Sequence, residues 1–152
     1  MKNDYSRRKG KGNGGRFVQL FEYLLRSPAW SDLDPVARAL YVELRRRYNG
    51  TNNGSIALGC REAGEALNVG KNVANRGFQA LLDHGFIVVV AKSGFNQKRM
   101  TMVWALTEIR NDATGAIAPR DFLRWSPRGP RTAATSPAGD RRVVPFAKPV
   151  AA

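Results

Sequence analysis

Apolar side chains recur along this chain at two different periods, and the switches between those periods lay out its elements. Phe17, Leu20, Phe21, Leu24 and Leu25 share one face at helical spacing, which predicts a short helix over 17–25. Ser27-Pro28 ends it, because the residue before a proline avoids helical geometry. Asp34 then supplies an N-cap and Pro35 a first helical position, and Val36, Ala39, Leu40 and Leu44 line one face of a second helix through Arg47. The turn formers from Tyr48 to Gly54 stop that helix, and a short strand is expected near Ser55 to Leu58.

The stretch Arg61 to Leu67, with Ala63, Ala66 and Leu67 apolar, predicts a third helix that Asn68-Val69-Gly70 breaks. A fourth begins at once. Val73, Ala74, Phe78, Leu81 and Leu82 recur at helical spacing from Lys71 to His84, and Gly85 is the expected stop. Two short helices joined by a Gly-containing turn have the form of a helix-turn-helix. Phe86 to Ala91 and Met100 to Leu106 follow as apolar strands around a polar turn, Lys92 to Lys98. The order helix, helix, strand, turn, strand is that of a winged helix. Phe122, Leu123 and Trp125 offer one more short element to dock on it.

The fold class expected is therefore α+β, a mainly helical winged helix-turn-helix with a small antiparallel wing, flanked by disordered basic tails. The domain spans 17–125. Residues 1–16 read as a flexible basic arm, since Tyr5 is their only large apolar side chain apart from Met1. Residues 126–152 read as a disordered tail rich in Pro, Ala and Arg.

Charge narrows the class of partner. The 152 residues carry 25 Lys and Arg against 12 Asp and Glu, a net charge of +13, so the surface attracts polyanions: nucleic acid, an anionic membrane or an acidic protein. Six of the basic side chains, against one acid, lie in residues 1–16. No apolar run approaches the roughly 20 residues that span a bilayer, and the basic start leads into Gly and Asn rather than a signal-peptide core. A single cysteine, Cys60, rules out an internal disulfide and a multi-cysteine metal site. The expected location is the cytoplasm, associated with the nucleoid.

The candidate chemistry lies on the helix 71–84. Its polar face holds Lys71, Asn72, Asn75, Arg76 and Gln79, side chains that pair with base edges in a major groove, and no acid. An ordinary solvated helix face is the alternative. At the wing tip, Lys92, Asn96, Gln97, Lys98 and Arg99 suit a minor groove or flanking phosphates, or form a solubilising turn. In the arm, Arg7, Arg8, Lys9, Lys11 and Arg16 suit a minor groove or add nonspecific affinity. Arg45, Arg46 and Arg47 either complement a helix dipole or meet phosphate.

Cys60 reads as a small buried residue, or as a thiol activated by a helix N-terminus. His84 reads as a cap on helix carbonyls, and Trp30 and Trp104 as core. No catalytic constellation is evident, so no enzyme activity, cofactor, metal or small-molecule ligand is expected.

The motifs Ser27-Pro28-Ala29-Trp30, Ala37-Arg38, Arg47-Tyr48-Asn49-Gly50, Asn52-Asn53-Gly54, Lys71-Asn72-Val73-Ala74-Asn75-Arg76, Gly85-Phe86-Ile87, Trp104-Ala105-Leu106-Thr107 and Asp121 to Trp125 together carry a likeness. Over about Phe17 to Trp125 the chain resembles a family of winged helix-turn-helix proteins of bacterial chromosomes, prophages and plasmids, some of them replication-protein-like. The resemblance implies that Lys71, Asn72, Asn75 and Arg76 read DNA. The chain departs from the family in having Gly59 and Gly70 where a Ser commonly begins each helix of the motif, a change worth only a few tenths of a kcal/mol.

The expectation is a sequence-specific double-stranded DNA-binding protein that regulates transcription. A replication or mobile-element accessory role on the same domain, and nonspecific RNA or single-strand binding through the tails, are the alternatives. The apolar face of 17–25 is expected either to pack into the core or to join a homodimer.

Overall fold

The computed structural model describes residues 15–91 and 101–127. Helix α1 (Glu22–Leu25) passes through Arg26 and Ser27 into α2 (Pro28–Asp32), and α3 (Pro35–Arg47) follows. Then come β1 (Ile56–Ala57), α4 (Cys60–Leu67), α5 (Lys71–Asp83), β2 (Ile87–Ala91), β3 (Val103–Leu106) and a closing 3-10 helix, Asp121–Arg124. The class is α+β: the described residues form five α-helices and one three-stranded antiparallel sheet of order β1-β3-β2.

The helix starts follow their caps. Asp34 Oδ1 accepts the amide of Ala37 at 2.6 Å with Pro35 in the first position, so α3 begins where expected. Ser27-Pro28 ends one helix and begins another: the Ser27 hydroxyl donates to the Leu24 carbonyl at 2.7 Å and accepts the Trp30 amide at 3.2 Å. The same Pro that is a poor helix neighbour is a good first residue, and α2 was not foreseen for that reason.

The expected helix over 17–25 is corrected to α1 alone. Residues 17–21 are not helical, and Phe17 is 83% exposed. The carbonyl of Gln19 accepts Arg45 Nε at 3.2 Å and Nη2 at 2.8 Å, so a tertiary bond satisfies it in place of a helical one. The buried face of α3 is also shifted: Ala37, Leu40, Tyr41, Leu44 and Arg45 point inward, while Ala39 is exposed.

Trp104 ties sheet to helices. It lies opposite Ile56 on one side and Val89 on the other, stacks on Phe78 of α5 at 4.5 Å, and donates from Nε1 to the Leu58 carbonyl at 2.9 Å. Trp30 packs edge-on against Tyr41 and Phe86, and Phe86 stacks on Phe122, which closes the core from the 3-10 helix. The tryptophans assigned to packing do pack, although Trp30 stays half-buried.

Two buried polar groups organise the loops. Asn53, fully buried, donates from Nδ2 to the carbonyls of Leu106, Ile109 and Arg110 and accepts the Leu106 amide at 2.7 Å. Glu108, whose side chain is inaccessible, lies 3.6 Å from Arg45 Nη1 and accepts the Tyr41 hydroxyl at 2.9 Å and that of Tyr23 at 3.4 Å. Burial first, and then the Glu108 carboxylate, push the Tyr41 hydroxyl well above its ordinary pKa.

Candidate nucleic-acid interface

The geometry around α5 begins with its turn. Asn68, at φ 55°, is the left-handed residue that ends α4, a conformation Asn tolerates better than most side chains. Gly70, the last residue of the expected turn, has the ordinary extended φ of −67° and sits at the N-cap of α5, the position the resemblance gives it. The chain reverses tightly, with the Val69 amide donating to the Gly64 carbonyl at 2.9 Å. A Cβ on Gly64 would stand 2.8 Å from the Val69 carbonyl oxygen, so any side chain there forces the two helices to reorient.

Behind α5 the decisive residue is Gly77. A Cβ there would meet Leu40 Cδ2 at 3.2 Å and Ala37 Cα at 3.8 Å, so the bare backbone lets α5 lie close against α3. With Ala74, Gly77, Phe78 and Leu81 buried, the helix has a fixed back. Its front follows from the 3.6-residue period: Lys71, Asn72, Asn75, Arg76 and Gln79 are all exposed and share one flank. The structure thus brings together the five side chains expected to act together. Among the described residues, neither Lys71 nor Arg76 is in an ion pair.

One neighbour reaches this face. Cys60 at the start of α4 is half-buried and donates from Sγ to Asn75 Oδ1 at 3.6 Å, which orients that carboxamide across the two helices. Both helices of the pair begin at glycine with no side-chain cap, unlike α2 and α3. Their first amides are therefore left to solvent or to an external acceptor, and phosphate oxygens suit such amides.

The arginines that end α3 have a different fate. Arg45 is buried against Gln19 and Glu108. Arg46 holds Glu43 at 2.7 Å, and Arg47 bridges Glu43 at 3.2 Å and Glu62 of α4 at 2.9 Å. Arg46 first, and then Arg47, hold the Glu43 carboxyl below its ordinary pKa. Internal partners thus occupy the group for which phosphate contact was one alternative.

Of the expected arm, only Arg16 is described, and it is exposed. Arg7, Arg8, Lys9 and Lys11 lie outside the described residues, as do the wing candidates Lys92, Asn96, Gln97, Lys98 and Arg99. The strands that flank those wing positions, β2 and β3, pair antiparallel from Ile87 opposite Leu106 to Ala91 opposite Val103.

His84 caps α5: its Nδ1 lies 2.7 Å from the Ala80 carbonyl, its Nε2 lies 2.7 Å from Asp32 Oδ2, and the ring stacks on Trp125. Both nitrogens are engaged in tying the end of α5 to α2. The described residues hold no cluster of three or more His, Cys, Asp or Glu suited to a metal, and no helix long and apolar enough to cross a membrane.

Sequence reasoning missed Gly64, Gly77, Asn53 and Glu108. The glycines carried a signal: a Gly inside a helical pattern costs about 1 kcal/mol against Ala, so two of them point to close backbone approach. Asn53 stood among turn formers, in one of the motifs that carry the likeness, and nothing there showed its buried role. Compared with family models, with curated proteins and with solved structures, the chain matches none of them.

Proposed function

We propose that this chain is a winged helix-turn-helix protein that binds double-stranded DNA sequence-specifically and regulates transcription. One observation carries the reading. The outward flank of α5 presents Lys71, Asn72, Asn75, Arg76 and Gln79 together and exposed, with Asp83 as the single acid of the helix in its last position, on a helix whose back is fixed by α3 and α4.

In this reading α5 enters the major groove, where Asn75 and Gln79 suit adenine and Arg76 suits guanine. The uncapped starts of α4 and α5 lie toward the backbone and donate amides to phosphates. The segment joining β2 to β3, with Lys92, Asn96, Gln97, Lys98 and Arg99, serves as the wing on flanking phosphates or the minor groove, and the basic arm adds sequence-independent attraction. The family resemblance of the sequence supports the same assignment.

Selection of bound duplexes from a random pool tests this directly and reports symmetry and half-site spacing as well. On the selected site, Asn75→Ala should cost about 1–3 kcal/mol and relax the preference at one base pair, whereas Lys98→Ala should weaken specific and random DNA alike. A pool that yields no enriched sequence, or equal loss on both kinds of DNA for the two variants, overturns the proposal.

A further inference from the structure

Outside α5, the described residues leave a set of apolar side chains exposed around a groove. Phe21, Tyr23, Tyr48, Ile109, Ile117 and Ala118 line a groove of about 650 Å³. Phe21 is 39% exposed, Tyr23 38% and Ile117, on its lip, 88%. Phe17, four residues before Phe21, adds a further exposed ring. Single exposed apolar side chains are ordinary, but a contiguous set beside a concavity marks a contact surface.

The chemistry of the groove selects the occupant. Its one buried carboxylate, Glu108, is already engaged by Tyr41, Tyr23 and Arg45, so the floor offers little to orient a small polar ligand. The rim carries both signs, Arg110 and Arg120 beside Asp112, which disfavours a polyanion. A protruding aliphatic knob and an aromatic recess occur side by side on one face. That pairing is self-complementary, as an interface between identical copies related by a twofold axis requires.

We infer that this face joins two copies of the chain, with Ile117 of each seated in the Phe21, Tyr23 and Tyr48 recess of the other. Arg110 and Arg120 of one copy then face Asp112 of the other. The interface replaces the amphipathic helix expected over 17–25, since its apolar residues come from the non-helical segment before α1, from Tyr23 of α1, from Tyr48 at the end of α3 and from the loop after β3.

The test is sedimentation of the full chain without DNA, so it stands or falls separately from the DNA-binding reading. The unaltered protein should reach a dimer as concentration rises. Ile117→Asp should raise the dissociation constant by about tenfold or more, since a carboxylate would be buried where an aliphatic group stood. Arg110→Glu should weaken the dimer in the same direction. Leu123→Asp, at an exposed apolar position on the 3-10 helix, should leave it unchanged, and circular dichroism checks that each variant is folded. A photo-crosslinking phenylalanine analogue at position 117 should join two chains. A protein that stays monomeric, a dimer indifferent to Ile117→Asp, or a crosslink confined to a single chain overturns the inference, the last of these assigning the groove to the chain's own tails.

Discussion

The arginines that end α3 and the basic residues of α5 are one kind of side chain put to opposite uses. Arg45, Arg46 and Arg47 have carboxylates or a carbonyl within reach, and those partners sit on α3 itself, on α4, before α1 and after β3. Lys71 and Arg76 have no such partner among the described residues and face outward beside three amides. The first group spends its hydrogen bonds on holding elements together. The second has no such use among the described residues. A run of three arginines draws the eye in a sequence, yet where the opposite charges lie decides which cations are available.

The largest expected effect breaks the first side of that contrast. Arg45→Ala leaves the Glu108 carboxylate buried without its cation and frees the Gln19 carbonyl, which should cost about 3–5 kcal/mol in denaturant unfolding. The folded fraction should still discriminate between DNA sequences. A loss below about 1 kcal/mol would mean that the buried pair contributes little beyond its own desolvation.

Arg76→Ala should do the reverse. Exposed and unpaired among the described residues, it should leave stability within about 0.5 kcal/mol of the unaltered protein. Binding to the selected duplex should fall by about 1–3 kcal/mol, with random DNA affected less. If Arg76→Ala and Arg45→Ala prove alike in both assays, the division between the two groups fails.

Gly77→Val probes the seam between them. The added methyl groups would enter the space held by Leu40 Cδ2 and Val36 Cγ1, and β-branching adds a further helix cost. Overpacking of this kind costs typically 1–3 kcal/mol, and here it should also tilt α5 off α3 and reduce DNA affinity. Thermal unfolding and the affinity for the selected duplex should therefore fall together for this variant alone.

How much of this was legible follows from where each signal lies. The helices α3 and α5 and the paired strands announced themselves through local periodicity and capping residues, and the five-residue face of α5 needed only the helical period. The segment 17–21 read as helix because Phe17 and Phe21 keep helical spacing, whereas the bond from Arg45 to the Gln19 carbonyl spans 26 positions and has no local trace. Glu108 and Asn53 are likewise set by contacts 53 to 85 residues away. In the sequence Cys60 reads as buried or reactive, and its contact with Asn75 depends on how α4 crosses α5. Tertiary hydrogen bonds of this kind are read only once the elements are in place.

The smallest effect sharpens the comparison on the exposed side of α3. The Glu43 carboxyl sits lower than an ordinary carboxyl because Arg46, and after it Arg47, bond to its ionised form. A group whose pKa is depressed on folding stabilises the native state above its unfolded value, near 4.5, and that contribution is lost as pH falls through the folded value. Glu43→Gln should therefore remove a small part of the stability seen at neutral pH and flatten the loss below about pH 4.5. DNA binding should stay unchanged, because Arg46 and Arg47, although released from Glu43, project from α3 and not from the flank of α5. Should Glu43→Gln instead strengthen binding to random and selected DNA equally, the freed arginines would be reaching phosphate. Arg46 and Arg47 would then belong with Lys71 and Arg76, held in reserve by a single carboxylate.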